Sequence, residues 1–262
     1  MITLNTKTLE DSATTPTPVS VMGVSVVPFE TYDDALRCVE ETIAARQKSF
    51  WVAINPIKVY NAWHQPELKN LLNQTNVGIC DGVGVSIASR ILHGHGIRRI
   101  TGCDLFFKLL ARAAQKQWGV YLLGASPESN EAARLGLQRM YPDLKVVGWQ
   151  DGYFKDSQQV VEEINASGAD LLFVAMGSPK QEEWIARHRE AINASFCMGV
   201  GGSFDIAAGN LRRAPRVFRM TGTEFLFRLA LEPRKRLSNQ KVLMNFLLRV
   251  IGQKMSGVGA PA

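Results

Sequence analysis

Five polar residues stand where apolar runs of this chain end. Asn55 follows "VAI", Asp81 follows "VGIC", Lys180 and Gln181 follow "LLFVAMGSP", and Asp205 follows "FCMGVGGSF". A carboxylate placed like Asp81, directly before Gly82, is a general base, a holder of a sugar hydroxyl, or a turn-former. Ser178, Pro179 and Gln181 have the spacing of a capping box, with Ser178 as N-cap and Gln181 reaching back to it. Lys180 does not fit that cap: a cation at a helix start opposes the helix dipole by up to roughly 1 kcal/mol. A lysine beside a helix N-terminus suits a phosphate, the alternative being an exposed lysine with no role. The glycines from Gly199 to Gly202 bring backbone N–H groups close to a ligand or simply make a tight turn.

These residues need a frame that collects strand ends. Apolar, β-branched runs at 21–27, 50–54, 77–80, 119–123, 145–147, 171–176 and 195–200 are predicted strands. Between them lie segments with apolar residues three and four apart, such as "YDDALRCVEETIAAR" and "SNEAARLGLQRM". Alternation of this kind predicts an α/β fold, a Rossmann-like open parallel sheet with helices on both faces. Ligands in such sheets bind outside the carboxyl ends of the strands. "GASPES" repeats the cap logic with Ser126 and Pro127, and its Glu128 obeys the dipole where Lys180 breaks it. The reading divides the chain into a lead-in (1–18), a catalytic α/β domain (19–210) and a basic amphipathic appendage (211–262).

Charge is concentrated in that appendage. The net charge is +6, yet residues 211–262 hold eleven Lys/Arg against two acids, +9, leaving −3 for the remainder. Such a segment meets phosphates or an anionic membrane, or is a solvated face. Residues 237–251 carry apolar side chains at helical spacing between basic flanks, which suits packing on the parent domain or lying on a membrane surface. No apolar run reaches the roughly 20 residues of a membrane span, and the polar start lacks the order of a signal peptide. The four cysteines show no C-x-x-C spacing and read as free thiols in a reducing compartment. No G-x-G-x-x-G follows a strand, and there is no P-loop, no D-x-D and no G-x-S-x-G elbow. His93 and His95 read as surface rather than metal ligands.

Seven segments in order resemble one family, the WecG/TagA/CpsF glycosyltransferases. They are "AINP", "CDGVGVS", "RRITGCDLF", "DGYF", "AMGSPKQEEW", "MGVGGSFDIAAGNLRRAP" and "EFLFRLALEP", spread over roughly residues 20–240. "DGYF" and "AMGSPKQE" are most similar to the WecG branch. The resemblance implies an inverting transfer from a UDP-sugar to a sugar carried on a polyprenyl diphosphate. It implies work at the cytoplasmic face of the membrane, as a peripheral protein, with no cofactor and no obligatory metal. The donor sugars it leaves open are N-acetylmannosaminuronate, N-acetylmannosamine and, for exopolysaccharide assembly, glucose.

Carried over by motif, Asp81 is the expected general base. Asn55, Gly82, Thr101, Asp104, Gly177, Ser178, Lys180, Gln181, Gly201 and Gly202 are the expected substrate-binding residues. Arg212, Arg213, Arg228, Arg234, Lys235 and Arg236 are the expected cations for the diphosphate or the membrane. Two departures stand out. A threonine frequent in the family two residues before the asparagine is Ala53 here, so no hydroxyl acts there. In the E-P-x-R-x-x-R pattern, Lys235 and Ser238 replace the two arginines, and lysine lacks the bidentate fork. The expected partners are the donor, the lipid-linked acceptor and an anionic membrane surface, with no nucleic acid and with room for a homo-oligomer. A non-catalytic protein that binds UDP-sugar or nucleic acid is the alternative of another class.

Overall fold

The computed structural model describes residues 15–215, 217–218, 221–231 and 233–256. Eight strands are found among them: β1 (Val19–Val21), β2 (Val24–Val26), β3 (Ser49–Ile54), β4 (Val77–Cys80), β5 (Gly119–Gly124), β6 (Lys145–Gln150), β7 (Leu171–Ala175) and β8 (Phe196–Gly199). Six form one sheet in the order β4-β3-β8-β7-β5-β6, and every pairing in it is parallel. The helices are α1 (Tyr32–Ala44), α2 (Pro56–His64), α3 (Pro66–Asn73), α4 (Val83–His93), α5 (Gly102–Lys116), α6 (Pro127–Met140), α7 (Ser157–Ala166), α8 (Lys180–His188), α9 (Ser203–Ala207), α10 (Glu224–Leu231) and α11 (Pro233–Ser256).

Strict alternation along the inner strands divides the core into two layers. Trp51, Leu122, Phe173 and Met198 face a cluster that includes residues of α1, α5, α6 and α9. Their neighbours Val52, Leu123, Val174 and Cys197 face clusters built with α2, α3, α4, α7, α8 and α11. A strand covered on both faces reads as a continuous apolar run, which is why these strands are visible in sequence. Fully burying one such side chain stabilises the fold by about 1.5–3 kcal/mol.

Two sequence expectations are corrected. The run 21–27 is not a strand of the main sheet: Met22 and Gly23 take positive φ (51° and 79°) and turn it into the antiparallel hairpin β1–β2. The hairpin covers the outer edge of β4, where the Val27 N–H donates to the Gly78 carbonyl at 2.8 Å. The run 145–147 extends to Gln150 as the edge strand β6, in which Lys145, Val147 and Trp149 are exposed while Val146, Gly148 and Gln150 are half-buried.

Residues 1–14 of the expected lead-in lie outside the described residues. In the appendage, α11 packs on α2 and α4 by burying Phe246 and Val250 in the cluster that holds Val52 and Ile54. Leu226, Met244, Leu248, Ile251 and Met255 on α10 and α11 stay exposed. Among the described residues, no helix is long and apolar enough to cross a membrane.

Candidate active site

The neighbours β4, β3, β8 and β7 deliver their carboxyl-end loops side by side. Asn55 ends β3 and caps α2, its Oδ1 accepting the Lys58 N–H at 2.9 Å. Asp81 ends β4, and its own N–H donates to the Ile54 carbonyl at 2.8 Å, fixing it beside Asn55. Gly82 follows at φ 116°, a conformation open to glycine, and lets the chain turn at once into α4. A Cβ placed on Gly102 would stand 3.0 Å from the Ala53 Cβ and 4.0 Å from Asp81 Oδ2. The bare α-carbon at 102 thus keeps space open in front of the carboxylate.

Two cavities meet here, and Asn55 and Asp81 line both. The smaller, about 210 Å³, lies over β3 and β8, between Ala53, Ser178, Gln181 and the loop 199–202. The larger, about 430 Å³, runs between α4 and the C-terminal helices. Its walls are apolar (Ile57, Val83, Ile87, Phe225, Leu243, Leu247), and Arg99 and Glu224 stand in it, paired at 3.7 Å. Both Asp81 and Arg99 act on Cys80: burial first, then the Asp81 carboxylate, raise that thiol, the Arg99 guanidinium opposes them, and the outcome is about 12.

Gln181 corrects the capping-box expectation. The N-cap of α8 is Pro179, and no side chain caps the helix. The Gln181 N–H bonds to the Gly177 carbonyl at 2.9 Å instead, a backbone acceptor that replaces the Ser178 hydroxyl. This frees the Gln181 side chain, only 3% exposed, for a tertiary role. Its Oε1 accepts the Gly201 N–H at 3.1 Å and its Nε2 donates to Glu182 Oε1 at 3.0 Å. A Cβ on Gly199 would come within 2.4 Å of that amide nitrogen, so glycine is required there for the amide to reach. By contrast, the cap expected at Ser126 forms, accepting the Ser129 N–H at 3.1 Å.

The other expected residues are distributed as follows. Gly201, Gly202 and Ser178 line the small cavity, and Gly82 lines the large one. Gly177 and Lys180 are exposed, and Lys180 is the first residue of α8. Thr101 is buried as the N-cap of α5, donating to Asp104 Oδ2 at 2.7 Å and accepting the Asp104 N–H at 3.2 Å. Asp104 pairs with Arg213, whose guanidinium lies over the Phe107 ring. Thr101, Asp104 and Arg213 are therefore joined to one another, and none of the three is among the residues that line the two cavities. Arg212 is exposed. Arg228, Arg234, Lys235 and Arg236 lie outside the residues whose side chains are described. Asp205 links α9 to α6, accepting from Ser129 Oγ at 3.0 Å.

Sequence reasoning missed a buried ion pair behind the small cavity. Lys58 Nζ donates to Glu182 Oε1 at 2.7 Å and to the Ala53 carbonyl at 2.9 Å. Lys58 is 7% exposed and Glu182 0%. A signal existed: Lys58 is a cation in the first turn of a helix, the same departure that drew notice to Lys180. Arg99, which lies in the segment "RRITGCDLF" but was given no role of its own, was also missed.

Comparison with known proteins places these residues in context. The model of the glycosyl transferase WecG/TagA/CpsF family matches residues 19–259. A curated relative from Bacillus spizizenii is 35% identical over 185 residues, 71% of this chain and 72% of the relative. It is the N-acetylglucosaminyldiphosphoundecaprenol N-acetyl-beta-D-mannosaminyltransferase of that organism.

Proposed function

Since the chain belongs to the WecG/TagA/CpsF glycosyltransferase family, we propose that it moves N-acetylmannosamine from a UDP-sugar to an N-acetylglucosamine carried on a polyprenyl diphosphate. The observation that carries this reading is that Asp81 lines both cavities. The donor sugar occupies the small polar cavity and the lipid-linked acceptor the large apolar one. The acceptor hydroxyl gives its proton to the Asp81 carboxylate and attacks C1 of the donor sugar. The bond from C1 to the diphosphate oxygen breaks, and UDP leaves with the electron pair. Attack from the side opposite the leaving group inverts the anomeric carbon. A carboxylate in this role contributes about 10²–10⁴-fold.

The activity of the Bacillus spizizenii relative supports N-acetylmannosamine over N-acetylmannosaminuronate and glucose. Arg99 supports a diphosphate acceptor, since it is a cation inside the apolar cavity. The exposed apolar residues of α10 and α11, set among Arg249 and Lys254, support peripheral attachment to an anionic membrane at its cytoplasmic face. Purified chain offered UDP-N-acetylmannosamine, its uronate and UDP-glucose, each with a lipid-diphosphate N-acetylglucosamine, is expected to use the first at least ten-fold faster. Equal or faster transfer of glucose overturns the donor assignment, and failure of all three overturns the reaction.

A further inference from the structure

Among the described residues, the wall of the small cavity contains a single cation, Lys58. An ammonium has three N–H donors. Two of those on Lys58 are used, on Glu182 Oε1 at 2.7 Å and the Ala53 carbonyl at 2.9 Å. The partner carboxylate is fully buried and half satisfied: Oε1 also accepts from Gln181 Nε2 at 3.0 Å, whereas Oε2 has no hydrogen-bond partner among the described residues. A buried pair with an orphaned oxygen is poor stabilisation, since well-packed apolar residues in its place are commonly neutral or better. Its place against a cavity is the feature that an apolar pair would not reproduce.

We propose that Lys58 is a donor-site cation whose third N–H meets the β-phosphate of the UDP-sugar, with Glu182 as the positioning residue behind it. This rests on the UDP-sugar reading above. The β-phosphate is the group bonded to C1 of the donor sugar, so it must enter the same small cavity that Asp81 lines. Glu182 holds the ammonium in place against the wall. Through its second bond, Glu182 also fixes which way the Gln181 amide faces. With Nε2 committed to Glu182, Oε1 is left for the Gly201 N–H, and the glycine loop is held at one distance from the cation.

The test is calorimetric titration of the full chain with UDP and with UMP, which lacks the β-phosphate. The double variant Lys58→Gln/Glu182→Gln replaces the ion pair with a neutral amide pair that can still hydrogen-bond. It is expected to weaken UDP by about ten-fold or more, the scale of one charge-assisted hydrogen bond, while UMP changes less than two-fold. Glu182→Gln alone retains the ammonium but removes the charge that holds it, and is expected to weaken UDP by less than the double variant does, with UMP again changed less than about two-fold. A double variant that binds UDP as the unaltered chain does, or that loses UDP and UMP equally, overturns the assignment of Lys58. If the double variant does not fold, Lys58→Gln alone is titrated with the same expected and contrary results. Absence of UDP binding and of transfer in the unaltered chain overturns the UDP-sugar reading itself, and Lys58 with it. Binding and transfer that are indifferent to the variants remove only the Lys58 assignment.

Discussion

The two cavities that meet at Asp81 are made differently. The small one is built from strand ends and a glycine loop, and its back wall is tied by hydrogen bonds through Gln181, Glu182, Lys58 and the Ala53 carbonyl. The large one is closed by α10 and α11, which touch the body chiefly through Phe246 and Val250 and leave much apolar surface exposed. One side is fixed by the sheet, and the other rests on an amphipathic helix. A nucleotide-sugar is a charged ligand with a flexible diphosphate, and ordering it on binding is easier against preorganised partners. A lipid-linked acceptor is apolar along most of its length and needs a wall that faces a membrane. The difference suggests that changes on the two sides affect different kinetic constants.

The junction itself gives the largest expected effect. Asp81→Asn should lower turnover by about 10²–10⁴-fold while UDP titrates as before, and unchanged turnover would remove the base from the mechanism. Next comes the stability of the tied wall. Glu182→Ala leaves Lys58 buried without a counter-charge, and chemical denaturation should show a loss of about 3–5 kcal/mol. Leu247→Asp, on the looser wall, should cost under about 1 kcal/mol but raise KM for a lipid-linked acceptor several-fold, with the donor KM unmoved. If Leu247→Asp destabilises as much as Glu182→Ala, the contrast between the two sides is wrong. Lys180→Glu, at the exposed rim, should keep the fold and weaken UDP by a few-fold at low salt, an effect that fades as salt screens it.

A smaller effect concerns pH. Burial raises the Cys80 and Cys197 thiols from their ordinary 9 to about 12. The folded state therefore holds these protons more tightly than the unfolded one. The resulting stability is complete below pH 9 and is lost as pH rises towards 12. Melting temperature should fall between pH 8.5 and 10.5, and Cys197→Ala should flatten part of that fall. A flat profile in the unaltered chain would contradict the burial of these thiols.

Much of the frame was legible because doubly covered strands are unbroken apolar runs, as in 171–176 and 195–200. The hairpin was not, although Gly23 inside 21–27 was its mark: a lone glycine in an apolar run signals a turn as well as a bulge. The strand-end rule located Asn55, Asp81 and Gln181, since parallel order delivers those ends to one edge. It misjudged what Gln181 does. Local spacing favoured a cap, whereas the amide goes to Gly201, twenty residues away in sequence. The Lys58–Glu182 pair spans 124 residues, and nothing local announces such a partner. Of two lysines at helix starts, the sequence drew notice to Lys180, which is exposed, while the buried one is Lys58.

The central claim is that Asp81 directs an acceptor in one cavity at C1 of a donor in the other, with inversion. Its most direct measurement is the anomeric configuration, by NMR, of the disaccharide released from the product lipid after reaction with α-linked UDP-N-acetylmannosamine. The account expects a β-linkage to N-acetylglucosamine, formed by the unaltered chain and not by Asp81→Asn. An α-linked product, or the same β-product at the same rate from Asp81→Asn, would contradict it.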